Sequence, residues 1–221
     1  MSAPALNSSA PRRALIVIDV QNEYFSGQMR ISYPDPQSSL QQIGRAMDAA
    51  HQAGIPIFLI QHSAPETSPV FARGSETWAL HDELMQRPFD VLIEKNKASA
   101  FSGTTLDAQL QALQIDTLSI VGYMTHNCNA STVFEAAHRG YQVEILSDAS
   151  GSLPYRNAAG AASAEEIHRV FQVVFHSNFA SSCTTDQWLA ALEQQVPLSR
   201  SNVYTSYQDA ISKPSASREQ P

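Results

Sequence analysis

Short apolar runs rich in β-branched residues recur along the chain, and longer stretches of amphipathic pattern separate them. Residues 14–19, 55–61, 91–94, 117–121, 141–146 and 179–184 read as strands. Their near-continuous apolar character suits strands covered on both faces. Apolar positions at helical spacing predict helices over about 36–53, 105–113, 127–139, 164–175 and 185–193. Gly140 suits the position just past the third of these helices, and Ser163 suits the cap of the fourth.

Strands alternating with helices predict an α/β fold: a doubly wound, mainly parallel six-stranded sheet with helices on both faces. Such sheets bind ligands beyond the carboxyl ends of their strands, where the strand order reverses. Three connections, 20–34, 62–88 and 147–163, are long enough to shape a pocket there. The pattern supports one domain over 13–193, a flexible N-terminal tail over 1–12, and a polar stretch over 194–221 that reads as a tail or oligomer arm.

Composition narrows the function classes. At 221 residues and 43% hydrophobic content the chain suits a single core. Its net charge of −7, from 14 basic and 21 acidic residues, gives no footprint for nucleic acid or an anionic membrane. Two cysteines make no disulfide framework, and the first eleven residues lack an apolar leader core. Apolar runs such as 14–18 fall far short of the roughly 20 residues of a membrane span. The expectation is a soluble cytoplasmic protein.

The chemistry-bearing residues fall just past strand ends. Cys128 follows the fourth apolar run at the start of a predicted helix, where free N–H groups and the helix dipole favour the thiolate. Cys183 has no such context and reads as a strand residue. Asp19 ends the first strand, where a buried carboxylate needs a reason such as service as a general base. Gln21 points to the same side if the strand persists. Lys95 or Lys97, after the third strand, supplies a cation that stabilises both anions; periodicity leaves the choice open.

The runs Ile16-Val-Ile-Asp19-Val-Gln21-Asn, Lys95-Asn-Lys-Ala-Ser99-Ala-Phe101-Ser-Gly-Thr104, Gly122-Tyr-Met-Thr125-His-Asn-Cys128 and Arg139-Gly-Tyr-Gln-Val-Glu-Ile-Leu-Ser-Asp148-Ala appear in that order. Through them the chain resembles the isochorismatase-like cysteine hydrolase superfamily, which includes nicotinamidases, N-carbamoylsarcosine amidohydrolases and streptothricin hydrolase. The resemblance spans about 13–192. It implies Asp19, Lys95 and Cys128 as catalytic triad, Lys95 being the lysine four residues before the Ser of Ser-Ala-Phe. It further implies a cis peptide between Tyr123 and Met124, with the N–H groups of Met124 and Cys128 as oxyanion hole.

Departures from the family pattern limit the transfer. Nicotinamidases bind a metal through Asp-x-His and a further His, where this chain reads Gln61-His62-Ser63-Ala64, so no metal is expected. Isochorismatases proper cleave a vinyl ether without a nucleophilic cysteine, against which Cys128 argues. Asn129 stands where an apolar residue is usual, and Ala98 where an aromatic is frequent.

The expected activity is hydrolysis of a C–N bond, in an amide, lactam or carbamoyl group of a small molecule, through a thioester and without a cofactor. Residues flanking the triad, Gln21, Tyr24, Phe25, His62, Trp78, Phe101, Tyr123, Thr125 and His126, are the substrate-binding candidates. Competing readings are an isochorismatase-type hydrolase of another bond, a silent small-molecule-binding scaffold of this fold, and a redox thiol protein. The last suffers from the lack of a nearby resolving cysteine. The resemblance and the C-terminal arm imply a homo-oligomer.

Overall fold

The computed structural model describes residues 10–212. Strands β1 (Arg13–Ile18), β2 (Ile57–His62), β3 (Val91–Lys95), β4 (Thr117–Tyr123) and β5 (Gln142–Gly151) belong to one sheet. A separate antiparallel hairpin, β6 (Tyr155–Asn157) and β7 (Gly160–Ala162), precedes β8 (Ser181–Cys183), which completes the sheet. The sheet order is β3-β2-β1-β4-β5-β8, with every neighbouring pair parallel. This is the doubly wound sheet that the alternating pattern predicts, and its order reverses between β1 and β4.

Alternation along the central strands divides the core in two. Leu15, Val17, Leu59 and Val121 face α1 (Pro36–Gln52), with Ile43 and Met47, and also Trp188 of a later helix. Ile16, Ile18, Phe58, Ile60 and Ile120 face the other way, onto residues of α3 (Leu106–Ala112) and α4 (Ala130–His138). A four-residue helix, α2 (Asp82–Met85), interrupts the connection over 62–88. Helix α5 (Ala164–Val174) starts at Ser163, whose Oγ accepts from Glu166 N while Glu166 returns a bond to the Ser163 N–H. That reciprocal cap is the one Ser163 suggests from sequence. Helix α6 (Thr185–Glu193) carries Trp188 and opens with the same device, built from Thr184 and Gln187.

An ion pair away from the sheet's carboxyl edge is buried in the core, spanning β1 to β5 past β4. Arg13 and Glu144 meet at 2.8 Å with both side chains 3% exposed. Glu144 Oε2 also accepts from Ser119 Oγ at 2.8 Å and Trp188 Nε1 at 3.0 Å, while Arg13 Nη2 donates to Val196 O. Each charge therefore has hydrogen-bonding partners as well as its counter-ion, the condition for tolerating burial.

Three expectations need correction. The helix predicted over 127–139 begins as a π-helical turn, Thr125–Asn129, before α4 proper. The connection over 147–163 is largely strand instead of loop, because the end of β4 pairs Gly122 with Ser150 and Tyr123 with Gly151 after a register shift and so draws polar residues into β5. The polar stretch after 194 contains a helix, α7 (Val203–Ser212), whose first turn is capped by Asn202 Oδ1 accepting from Thr205 N at 2.9 Å. Val203, Tyr204, Tyr207 and Ile211 of α7 are all exposed. The remainder of that stretch, 213–221, and residues 1–9 of the proposed N-terminal tail lie outside the described residues. Among the described residues no helix is long and apolar enough to cross a membrane.

Candidate active site

Asp19, Lys95 and Cys128 meet at the carboxyl edge of the sheet, beside the point where its order reverses. Asp19 directly follows β1 and adopts φ +52°, a left-handed backbone that Asp tolerates better than most residues. The turn ends the strand and leaves the carboxylate fully buried. Lys95, the last residue of β3, lies beside His62 in the register and reaches past the end of β2. Its Nζ lies 2.7 Å from Asp19 Oδ2, 3.3 Å from Cys128 Sγ, 3.1 Å from Lys97 O and 3.4 Å from His62 Nδ1. The choice between lysines that periodicity leaves open is thus resolved by direction. Lys95 points inward, and Lys97 contributes its carbonyl.

The turn that carries Cys128 is held from several sides. Asn127 N and Asn129 N both donate to Met124 O, and the Tyr123–Met124 peptide is cis. Asn129, unusual at its position, donates through Nδ2 to Gly122 O at 2.8 Å. Thr132 Oγ1 donates to Cys128 O at 2.7 Å and accepts from Ala100 N at 3.0 Å, which ties the Ser99-Ala-Phe101 segment to the cysteine turn.

Gly122 is dictated by close approach. Its φ is +104°, and a Cβ there would lie 2.1 Å from Ile18 O on the neighbouring strand, immediately before Asp19. Gly122→Ala is expected to cost about 3 kcal/mol or more in urea unfolding, since both the backbone conformation and the space forbid a side chain. A loss too small to measure would show that β1 and β4 separate easily at this point.

The electrostatics correct one expectation. Burial pushes the Cys128 thiol well up, the Asp19 carboxylate pushes it further, and Lys95 only partly opposes them. Burial and the neighbouring carboxylate therefore favour the protonated thiol at rest. Burial pulls the Lys95 ammonium down, but Asp19 and Cys128 outweigh it and hold Lys95 above its ordinary value. Asp19 Oδ1 is buried with no hydrogen-bond partner among the described residues, leaving one acceptor free for a proton from sulfur or substrate.

The remaining candidates divide by what they touch. Tyr24 lies within electrostatic reach of Cys128 and Asp19; burial, then Cys128, raises its phenol well above the usual value. His62 is kept neutral by burial and then by Lys95, and its ring meets Phe71 edge-on at 5.4 Å. Phe25 packs on His81 and Tyr123. His126 bonds through Nδ1 to Ser152 Oγ at 3.1 Å, and its buried Nε2 has no partner among the described residues.

Other side chains are engaged with the scaffold. Gln21 exchanges two bonds with the His62 backbone and donates to Trp78 O, locking the end of β1 to the following loops. Trp78 Nε1 donates to Ser63 Oγ. Tyr123 OH pairs with Ser39 Oγ in the core. Phe101 stacks on Tyr141 beneath Arg139, and Met124 is buried in the core on the α1 face. Thr125 Oγ1 donates to Gly151 O and lies 2.9 Å from His168 Nδ1.

Sequence reasoning missed His168, Tyr155 and Phe71. Burial, reinforced by the neighbouring His126, lowers His168 to about 4, against a partial rise from the Ser147 backbone. Folding therefore favours neutral His168, whose stabilising contribution is complete above pH 6.5 and lost as pH falls through 4. That loss amounts to about 3 kcal/mol at most. Urea midpoints are expected to fall across this window, and less so in His168→Gln; identical profiles would refute the assignment.

Among the described residues no group of three or more His, Cys, Asp and Glu side chains is placed to hold a metal ion. The isochorismatase domain matches residues 13–187. A solved Burkholderia xenovorans protein, described as a presumptive isochorismatase, is 56% identical and superposes with a TM-score of 0.91 over 92% of this chain and 98% of its own. An isochorismatase from Pseudomonas putida is 30% identical, with a TM-score of 0.74 over 80% of this chain and 89% of its own. A ureidoacrylate amidohydrolase of Methylobacterium radiotolerans is 31% identical over 169 residues, 62% of this chain and 66% of that protein. With the domain match covering most of its length and the fold shared, the chain belongs to the isochorismatase family of hydrolases.

Proposed function

We propose that this protein hydrolyses a C–N bond, in an amide, lactam or carbamoyl group of a small molecule, with Cys128 as nucleophile. The observation that carries the reading is Lys95 Nζ bridging Asp19 and Cys128 in a buried cluster, with Asp19 Oδ1 left free. Similarity to a ureidoacrylate amidohydrolase supports C–N cleavage.

In this mechanism Asp19 removes the thiol proton as sulfur attacks the carbonyl carbon, and the C=O pair moves onto oxygen. Backbone N–H groups of Met124 and Cys128 are the proposed donors to that oxyanion; one such donor is typically worth about 3 kcal/mol. Collapse breaks the C–N bond, and the leaving nitrogen takes the proton held by Asp19. Water then attacks the thioester, giving its proton to Asp19, and sulfur leaves as thiolate beside Lys95 before recovering the proton. The net reaction consumes one water and yields an acid and an amine. No step calls for a cofactor.

Intact-mass spectrometry during incubation with carbamoyl, aryl and lactam amides tests this reading, beside Cys128→Ala. An acyl adduct on Cys128, or cleavage that vanishes in the variant, supports it; cleavage that persists in the variant refutes it.

A further inference from the structure

Two helices of this chain keep apolar residues away from its own core. In α5 only Ala164 and His168 are buried, Ile167 and Phe171 are half-buried, and Val170, Val173 and Val174 stay 38–62% exposed. Its apolar side is therefore wider than the sheet beneath it covers. None of the ten residues of α7 is buried. Val203, Tyr204, Tyr207 and Ile211 are 59–73% exposed, and their helical spacing puts them on one stripe. The half-buried residues of α7 are Ser206 and Gln208, so polar residues make its contacts with its own protomer and the apolar stripe faces outward.

Such an arrangement calls for a covering surface. A ten-residue helix is marginal in water by itself, and packing of its apolar stripe is what holds it in place. At its start α7 is tethered, since Ser201 N donates to His176 O at 3.1 Å and Arg200 donates to Asn178 O. Both acceptors belong to the π-helical turn Phe175–Phe179 that continues α5, so the two stripes lie on neighbouring elements. Together they offer on the order of 700 Å² of surface, close to the roughly 800 Å² per partner of a standard stable interface.

Charge favours a second copy as that surface. At a net charge of −7 two copies repel unless uncharged faces meet, whereas a basic partner would be met by acidic residues. Residues 170–175 carry no charge, and α7 carries only Asp209, which lies off the stripe. Shape agrees. Val203, Tyr207 and Ile211 follow one another at intervals of four, as do Val170 and Val174, so the ridge of one helix fits the groove of the other.

We propose that α7 of each copy seats on α5 of a second copy, in a reciprocal two-fold exchange that makes the protein a homodimer. The arm that does so lies beyond the isochorismatase domain, which ends at residue 187. The proposal stands apart from the chemistry at Cys128.

Sedimentation velocity on the full chain tests this, beside Tyr207→Asp and Val173→Asp. Both positions are exposed within the protomer, so each variant keeps its fold, which circular dichroism checks. The parent is expected at twice the 24.1 kDa of one chain or above, and either variant at half the parent's mass. Tyr207→Asp should weaken self-association by about thirtyfold or more, the loss typical of a central interface tyrosine. Mixing the two variants tests the seating itself. A mixed dimer retains one unaltered α7–α5 contact, so it should form where neither variant alone associates. A parent that is monomeric at every concentration overturns the proposal, as does an assembly that either variant leaves intact. Failure of the folded variants to associate on mixing also overturns it, because α7 then meets something other than α5.

Discussion

Cys128→Ala is expected to lower kcat by at least about 10⁴-fold while leaving the melting temperature close to that of the parent, because catalytic residues that act as a unit fail together. The resting thiol is neutral, so its loss removes no charge from the buried cluster. Asp19→Asn should be as damaging to kcat, since Asp19 is the carboxylate bound to the same lysine as the sulfur. The double variant should be scarcely worse than either single one. Near-multiplicative losses in the double variant would mean that Asp19 and Cys128 act in separate steps. Unlike Cys128→Ala, Asp19→Asn also strips Lys95 of its counter-ion, so it is expected to lower stability as well as rate. Thermal melts beside kinetics separate the two effects.

The largest expected change in stability belongs to Glu144, which lies outside the Asp19–Lys95–Cys128 cluster. Glu144→Ala leaves Arg13 buried without its counter-ion and takes an acceptor from Ser119 and Trp188. Removing one partner of such a pair typically costs about 3–5 kcal/mol. For a chain of this size that lowers the melting temperature on the order of 10 °C. Glu144→Gln, which keeps an acceptor oxygen, should lose less. Calorimetric melts of both variants provide the check; a shift within error for the alanine variant would mean that water reaches and solvates Arg13.

Much of this arrangement was legible in the residues, for physical reasons that differ by element. Strands buried on both faces carry unbroken apolar runs, so β1, β2 and β4 stand out, and their parallel pairing follows from the helices between them. Asp19 and Cys128 are visible because a carboxylate or thiol adjoining such a run needs explanation. The π-helical turn before α4 was not legible, since it uses the same residues as an ordinary first turn and differs only in hydrogen-bond spacing. The hairpin carrying Tyr155 is short and mostly exposed, so no alternation marks it. Gln21 shows the limit of directional reasoning. It neighbours Asp19, yet its amide is spent on the backbones of His62 and Trp78. The protonated resting sulfur depends on burial contributed by residues from several strands, and the helix-start context of Cys128 alone points the opposite way.

That protonated sulfur has a consequence for how the protein meets oxidants and drugs. Peroxide and most thiol-directed electrophiles react with thiolates that solvent can reach. Cys128, 6% exposed and neutral at rest, offers neither property. Broad cysteine-profiling reagents should therefore leave it unmarked while they label accessible low-pKa thiols elsewhere in a cell extract. An electrophilic warhead mounted on an amide-like scaffold should label it selectively, because the proton leaves only as Asp19 accepts it in a filled site. The burial that hides the proposed nucleophile thus also acts as a chemical safety catch.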